Sequence, residues 1–251
     1  MQAMRRFEDK AVIVTGAASG IGLATALRLA DEGASLALLD VSGAGLESAA
    51  KECEARGAAV WTRVVDLADA AGARAAVGEA IARLGRLDVL CNVAGVLHAH
   101  HSHELPLEEW HRILAVNLTG AFVATQAALP ALLEARGNIV NVSSTAALAG
   151  HPYMLAYAAS KGGLLAMTTT LAIEYGKKGL RVNAICPGGI LTPIRNVRIP
   201  KDADFSLMAR ISPLDEARPP ETCASVIAFL ASDDAAHING EHVRVDGATL
   251  S

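Results

Sequence analysis

Tyr157 and Lys161 stand four positions apart in "LAYAASKGGL". Four residues is about one helical turn, so on a helix the phenol and the ammonium share a face. An unperturbed phenol titrates near 10, too high for a good base at neutral pH. A neighbouring cation stabilises the phenolate and draws that value towards the working pH. The pair is therefore equipped for proton transfer. The same spacing also occurs on any amphipathic helix as a packed tyrosine beside a solvated lysine, so the rest of the chain has to decide.

A second stretch bears on the question. "TGAASGIG", residues 15–22, lies between an apolar run and an alanine-rich segment. Gly16 permits a tight turn, Gly20 a close approach of backbone to phosphate, and Gly22 close packing of helix on strand. Free N–H groups at the helix start, around Ser19 and Ile21, then face a pyrophosphate. Asp40 ends the next apolar run, about 20 residues on, where a dinucleotide fold puts the carboxylate that accepts from the adenosine ribose hydroxyls. A 2′-phosphate there meets repulsion, and Val41, Ala17 and Ala18 offer no cation to offset it. The expected cofactor is NAD rather than NADP.

These residues need a scaffold. Short apolar runs, "AVIVTG", "SLALLD", "VWTRVVD", "LDVLCNVAG", "NIVNVSS", "RVNAICPG" and "EHVRVDG", alternate with alanine-rich stretches. Near-continuous apolarity suits strands covered on both faces, and the β-then-α rhythm predicts a doubly wound α/β fold. No linker or repeat divides it, so residues 1–251 read as a single domain. One long helix is predicted from about Leu107 to Glu134, with Pro130 a kink or boundary, and another from about Tyr153 to Lys177, carrying the tyrosine and lysine.

Hydrophobic residues make up 52% of the 251 and charged ones 19%. That much apolar surface calls for a buried sheet, an oligomer interface or both. A formal charge of −4 with scattered arginines gives no footprint for nucleic acid or a membrane surface. The absence of 18 uninterrupted apolar residues predicts no membrane span, and the first residues do not read as a signal peptide. Cys53, Cys91, Cys186 and Cys223 lie far apart and read as reduced thiols of a cytoplasmic protein.

From Lys10 to Ala248 the chain resembles the short-chain dehydrogenase/reductase family, in its compact single-domain branch. "TGAASGIG" is similar to the family's TGxxxGxG pattern and "YAASK" to its YxxxK pattern. "NVAG" resembles NNAG with Val93 replacing an asparagine, "CPGGILTP" its PG segment, and "VDGA" its VDGG ending with Ala248 as the departure. The resemblance implies a Rossmann-type fold, a central seven-stranded parallel sheet flanked by helices. It also implies hydride transfer between a nicotinamide cofactor and a small-molecule alcohol or ketone, usually in a homotetramer, a dimer being the alternative.

By the same resemblance, Tyr157 is the acid/base, Lys161 tunes it and holds the nicotinamide ribose, and Ser144 binds the substrate oxygen. Ser143 is a rival by composition. Asn117 belongs to a proton relay through water. Asp66 and Leu67 flank the adenine, Asn92, Ala94 and Gly95 pass the adenosine ribose, and Ile190 and Thr192 face the nicotinamide carboxamide. Enoyl reductases of the wider family space tyrosine and lysine more widely. The 3-oxoacyl-carrier-protein reductases look similar but usually take NADPH, against which Asp40 argues. A non-catalytic NAD-sensing protein of the same fold is the remaining alternative, and the intact Asn117, Ser144, Tyr157 and Lys161 set argues against it.

Two segments resist this scheme. "HAHHSH" groups His98, His100, His101 and His103 in one loop. No cysteine or carboxylate accompanies them at zinc spacing, so no metal is assigned. His151 and Tyr153 are candidates for the pocket wall. Residues 192–213 lack regular pattern, and the family resemblance implies that they cover the substrate; Arg195 and Arg198 there could meet an anionic group or stand as surface charges.

Overall fold

Val12 and Val14 pack on one side of the first strand and Ile13 on the other, and all three are fully buried. This two-residue alternation, apolar on both faces, is the condition of a strand sandwiched between helices. The computed structural model describes residues 4–209, 211–212 and 216–251. Pro213, the end of the expected substrate cover, and Arg210 within it lie outside the described residues.

Seven strands form one sheet: β1 Ala11–Thr15, β2 Ser35–Asp40, β3 Val60–Val64, β4 Val89–Asn92, β5 Asn138–Val142, β6 Arg181–Pro187 and β7 His242–Val245. Their order is 3-2-1-4-5-6-7 and every pairing is parallel. The helices are α1 Gly20–Asp31, α2 Gly43–Glu54, α3 Ala70–Leu84, α4 Leu107–Leu114, α5 Ala121–Ala135, α6 Leu155–Tyr175, α7 Phe205–Ala209 and α8 Glu221–Ala231. Leu29 of α1, Leu46 of α2 and Ile227 of α8 join Val12 and Leu36 on one face. Val77 of α3, Leu132 of α5 and Ala172 of α6 join Ile13 and Leu39 on the other. The expected seven-stranded, doubly wound sheet is the observed one.

The first long helix departs from expectation. Pro130 is no boundary, since α5 runs through it to Ala135. The irregularity falls earlier, at Ala115–Gly120, where a π-helical turn joins α4 to α5. Such turns insert an extra residue and often mark functional sites. Here the turn carries Asn117, which is fully buried. By length and composition α4–α5 passes for a membrane span, but half of its apolar stretch is buried inside the protein, as in a core helix. The second long helix starts two residues later than predicted and ends in a short 3₁₀ turn, Gly176–Lys178. All four cysteines are free and buried. Burial pushes Cys53 and Cys186 up to about 11, and Cys91 and Cys223 up to about 12.

Candidate active site

In an open parallel sheet ligands bind beyond the carboxyl ends of the strands, at the point where strand order reverses. Here that point lies between β1 and β4, and a cavity of about 560 Å³ opens there. Gly16 has φ +69°, and a Cβ on it would lie 2.7 Å from the Ala94 Cα. A Cβ on Gly22 would lie 1.9 Å from the Gly16 carbonyl oxygen. The loop thus needs hydrogen at both positions, which lays bare backbone towards the cavity. Ser19, the N-cap of α1, makes no side-chain capping bond, and no acidic residue stands in the first turn. The helix start presents unneutralised N–H groups, a setting that fits a diphosphate.

Thr15 locks the two strand ends together. Its Oγ1 accepts from the Val93 and Ala94 N–H groups at 3.0 and 3.2 Å. Asp40 Oδ2 accepts from the Ala18 N–H at 3.0 Å and Oδ1 from the Ser42 N–H at 2.9 Å. Its carboxylate therefore braces the glycine loop while lining the cavity. Asp66 accepts from the Ala68 N–H at 2.9 Å and from Arg112 Nη1 at 2.8 Å. The backbone bond, then the guanidinium, hold its carboxyl below the usual range against some desolvation.

The groups expected to react are brought together by β5 and α6. Lys161 is buried, and its Nζ donates to the Val142 carbonyl at 2.8 Å. Burial lowers it to about 8. Burial also pushes the Tyr157 phenol up, opposed by a hydrogen bond with Ser144. Each group is thus biased to its neutral form, and a phenolate gains stability only from charge held beside it. Lys161 Nζ lies 5.7 Å from the Tyr157 ring centroid. Asn117 Oδ1 accepts from the Val96 N–H at 2.8 Å, and its Nδ2 donates to the Val96 carbonyl and Ser160 Oγ. A Cβ on Gly95 would meet both Lys161 Nζ, at 3.2 Å, and Asn117 Oδ1, at 3.4 Å. The π turn thus aims the amide at the surroundings of the lysine.

The model of the family described as "Enoyl-(Acyl carrier protein) reductase" matches residues 16–248. A 3-oxoacyl-[acyl-carrier-protein] reductase of Thermotoga maritima is 40% identical over 98% of this chain and 99% of its own. The meso-2,3-butanediol dehydrogenase of Serratia marcescens is 37% identical, over 98% and 96%. The chain belongs to the short-chain dehydrogenase/reductase family. Among solved structures, a short-chain dehydrogenase from Mycobacterium paratuberculosis bound to NAD superposes with TM-score 0.91 at 28% identity, over 97% of this chain and 98% of that one. One from Burkholderia cenocepacia in complex with NADP superposes with TM-score 0.89 at 31% identity, over 98% and 100%.

In this short-chain dehydrogenase/reductase the cavity is lined by Gly16, Ser19, Gly20, Ile21, Gly22, Asp40, Asp66, Leu67, Ala94, Gly95, Ser144, Tyr157, Lys161, Ile190 and Thr192, all expected there. Asn92 is the exception. Its Nδ2 donates to Thr125 Oγ1 at 3.1 Å and Asn141 Oδ1 at 2.9 Å, so its side chain ties β4 to β5 and α5 within the core. Asn117 also stands behind the cavity wall rather than on it.

The two serines separate. Ser143 Oγ donates to the Lys161 carbonyl at 2.9 Å, whereas Ser144 bonds the phenol. Ser144→Ala should lower kcat about 10²–10³-fold, the range for losing a donor to a developing oxyanion. Ser143→Ala should keep kcat within a few-fold and cost about 1 kcal/mol of stability in a denaturant titration. Equal kcat losses would remove the distinction.

Arg112, which no motif marks, lines the cavity and pairs with Asp66 across 46 residues of sequence. Its only local signal is a basic side chain on an amphipathic helix. His151 and Arg195 line the cavity, while Tyr153 and Arg198 do not. Tyr153 acts on the cover instead: its Oη accepts from the Asp204 N–H at 2.7 Å. His101 Nε2 meets Asp202 Oδ1 at 2.9 Å, and that contact raises the imidazole above its ordinary value.

Proposed function

We propose that this protein transfers a hydride between NAD(H) and the carbon of a secondary alcohol or ketone. The convergence of Tyr157 with the buried Ser144 and Lys161 in the cavity that also contains the glycine loop and Asp40 carries this reading. NAD, when bound, supplies the hydride acceptor and a positive ring. The chain's own residues do the rest. The α1 N-terminus and Gly20 hold the diphosphate, and Asp40 accepts from the adenosine ribose. Asp66 and Leu67 flank the adenine, and Ile190 and Thr192 flank the carboxamide. Ser144 orients the substrate oxygen, and Tyr157 takes or returns its proton. Lys161 stabilises the phenolate and holds the nicotinamide ribose, while Asn117 serves the proton path to solvent.

The test is NADH formation by purified protein against sugars and polyols, hydroxysteroids, small diols and hydroxyacyl thioesters. Turnover of one class names the substrate. Silence across the panel, with NAD binding measured, argues for an NAD-sensing role. The 40% identity to a 3-oxoacyl-[acyl-carrier-protein] reductase supports a second reading, reduction of a 3-oxoacyl thioester with NADPH. Preference for that thioester and NADPH over every alcohol with NAD would select it.

Cofactor choice has its own expected result. Asp40→Ala should raise the ratio of kcat/KM for NADP over NAD by one to two orders of magnitude, about 1.4 kcal/mol per tenfold change. The carboxylate's repulsion of a 2′-phosphate and its bonds to the ribose hydroxyls are lost together. An unchanged ratio would move the selectivity elsewhere.

The proposal includes a homo-oligomer, with a tetramer foremost. Phe122 on α5 and Ile173 on α6 are 48% and 84% exposed, an arrangement that favours burial against another copy. Light scattering should find more than one chain per particle at micromolar concentration; a stable monomer refutes this.

A further inference from the structure

The histidine tract lacks a carboxylate at zinc spacing in sequence, and the fold supplies one. Glu109, in the first turn of α4, meets the His98 ring, with its Oε2 bonded to His98 Nδ1. His100 comes to the same place. One ligand atom from each of His98, His100 and Glu109 lies within 4.8 Å of the others. We infer that these three side chains bind a divalent transition metal of the zinc class at the rim of the substrate cavity.

The geometry is close to what such an ion needs. Bonds of about 2.0–2.1 Å in a tetrahedral arrangement space ligand atoms by about 3.4 Å. No two of these atoms are more than 4.8 Å apart, and side-chain movements of about an ångström reach the required spacing, with His98 and Glu109, which now bond each other, parting to admit the ion. Two of the three anchors are already fixed. The His100 N–H donates to the Tyr153 carbonyl at 2.9 Å, and Glu109 belongs to a helix. His98 keeps a side chain 49% exposed, open to an ion arriving from solvent. Two imidazoles and one carboxylate suit zinc, nickel or copper, and are the wrong donors for calcium or magnesium.

The other two histidines of the tract do not join. His101 is held by Asp202 and stands edge-on to the Tyr153 ring, with centroids 5.2 Å apart. His103 has a side chain 79% exposed and faces Glu104 at 3.8 Å. The tract thus divides its labour, with His101 on the substrate cover and His98 and His100 on the ion.

The location gives the ion a job. Val96 and Leu97, immediately before His98, line the cavity, and Val96 is clasped by Asn117 through both its N–H and its carbonyl. An ion on His98, His100 and Glu109 would bind the far end of the same loop to α4, stiffening that wall. Three protein ligands also leave a coordination position for water.

The test uses full-length protein without a polyhistidine tag, stripped with chelator and dialysed. Zinc titrated into it calorimetrically should bind at one equivalent per chain with micromolar or tighter affinity. Cobalt in place of zinc should give the visible absorption of a low-coordinate nitrogen and oxygen site. His98→Ala, His100→Ala and Glu109→Gln should each weaken zinc binding at least tenfold, while melting with the metal-free wild type. His103→Ala should leave it unchanged. Lack of saturable binding, or binding that survives His98→Ala and Glu109→Gln, overturns the site. This outcome is independent of turnover, so it stands or falls apart from the proposed hydride transfer.

Discussion

Replacing Tyr157 with phenylalanine is expected to lower kcat by about 10³-fold, within the span attributed to a positioned acid or base. The ring stays, so the packing of α6 against its neighbours is kept. The Ser144 hydroxyl still accepts from the Ala146 N–H at 3.1 Å, so it is not orphaned by the change. Only the transferable proton goes. Burial already pushes this phenol up, and the protein tolerates that cost in a buried pocket beside a lysine lowered to about 8. Such perturbed neighbours are characteristic of working sites. NAD binding, followed by quenching of intrinsic fluorescence, should change little. A variant retaining a tenth or more of wild-type kcat would transfer the proton role to another group.

Gly22→Ala should all but abolish dinucleotide binding and lower the melting temperature by at least several degrees. In an ordinary helix this substitution would gain about 1 kcal/mol. Here the new methyl would sit 1.9 Å from the Gly16 oxygen and 2.6 Å from its carbon, with the Ala17 Cα at 3.2 Å. All three atoms are backbone and none can rotate away. The helix start or the glycine loop must move, and the α1 N-terminus then loses its aim. Overpacking typically costs about 1–3 kcal/mol, roughly 2–4 °C per kcal/mol for a chain of this size. Gly78→Ala on α3 provides the control, because nothing lies within 4 Å of its added methyl. It should keep NAD binding and melt no lower than wild type. Similar behaviour of the two variants would show that helix propensity, not the clash, governs position 22.

Features encoded locally were legible in the sequence. The inner strands announce themselves because they are largely apolar on both faces, unlike the edge strands β3 and β7, and the glycine loop because strand, turn and helix follow one another directly. Tyr157 and Lys161 are a single turn apart, so their proximity needs nothing beyond a helix. Contacts closed by the fold were not legible. Arg112 reaches Asp66, and Glu109 reaches His98, only once α4 is laid beside the ends of β3 and β4. Asn92 shows the same limit from the other side. Its position at a strand end is readable, but the direction of its side chain depends on the pleat, and it faces Asn141 and Thr125. The π turn escaped notice because one extra residue in a helix leaves apolar periodicity almost unaltered, while Pro130 drew the expectation of a break to the wrong place.

The four buried cysteines carry a chemical consequence. With thiols raised to about 11 or 12, no more than about one in 10⁴ is thiolate at neutral pH, and none is open to solvent. Oxidation by peroxide or glutathione disulfide begins with a thiolate attacking the oxidant, so neither finds a nucleophile on the folded chain. This member of an oxidoreductase family is thereby insulated from the thiol–disulfide traffic of its surroundings. Its activity should follow the supply of cofactor and substrate, and stay indifferent to oxidative stress that would switch a cysteine-gated enzyme.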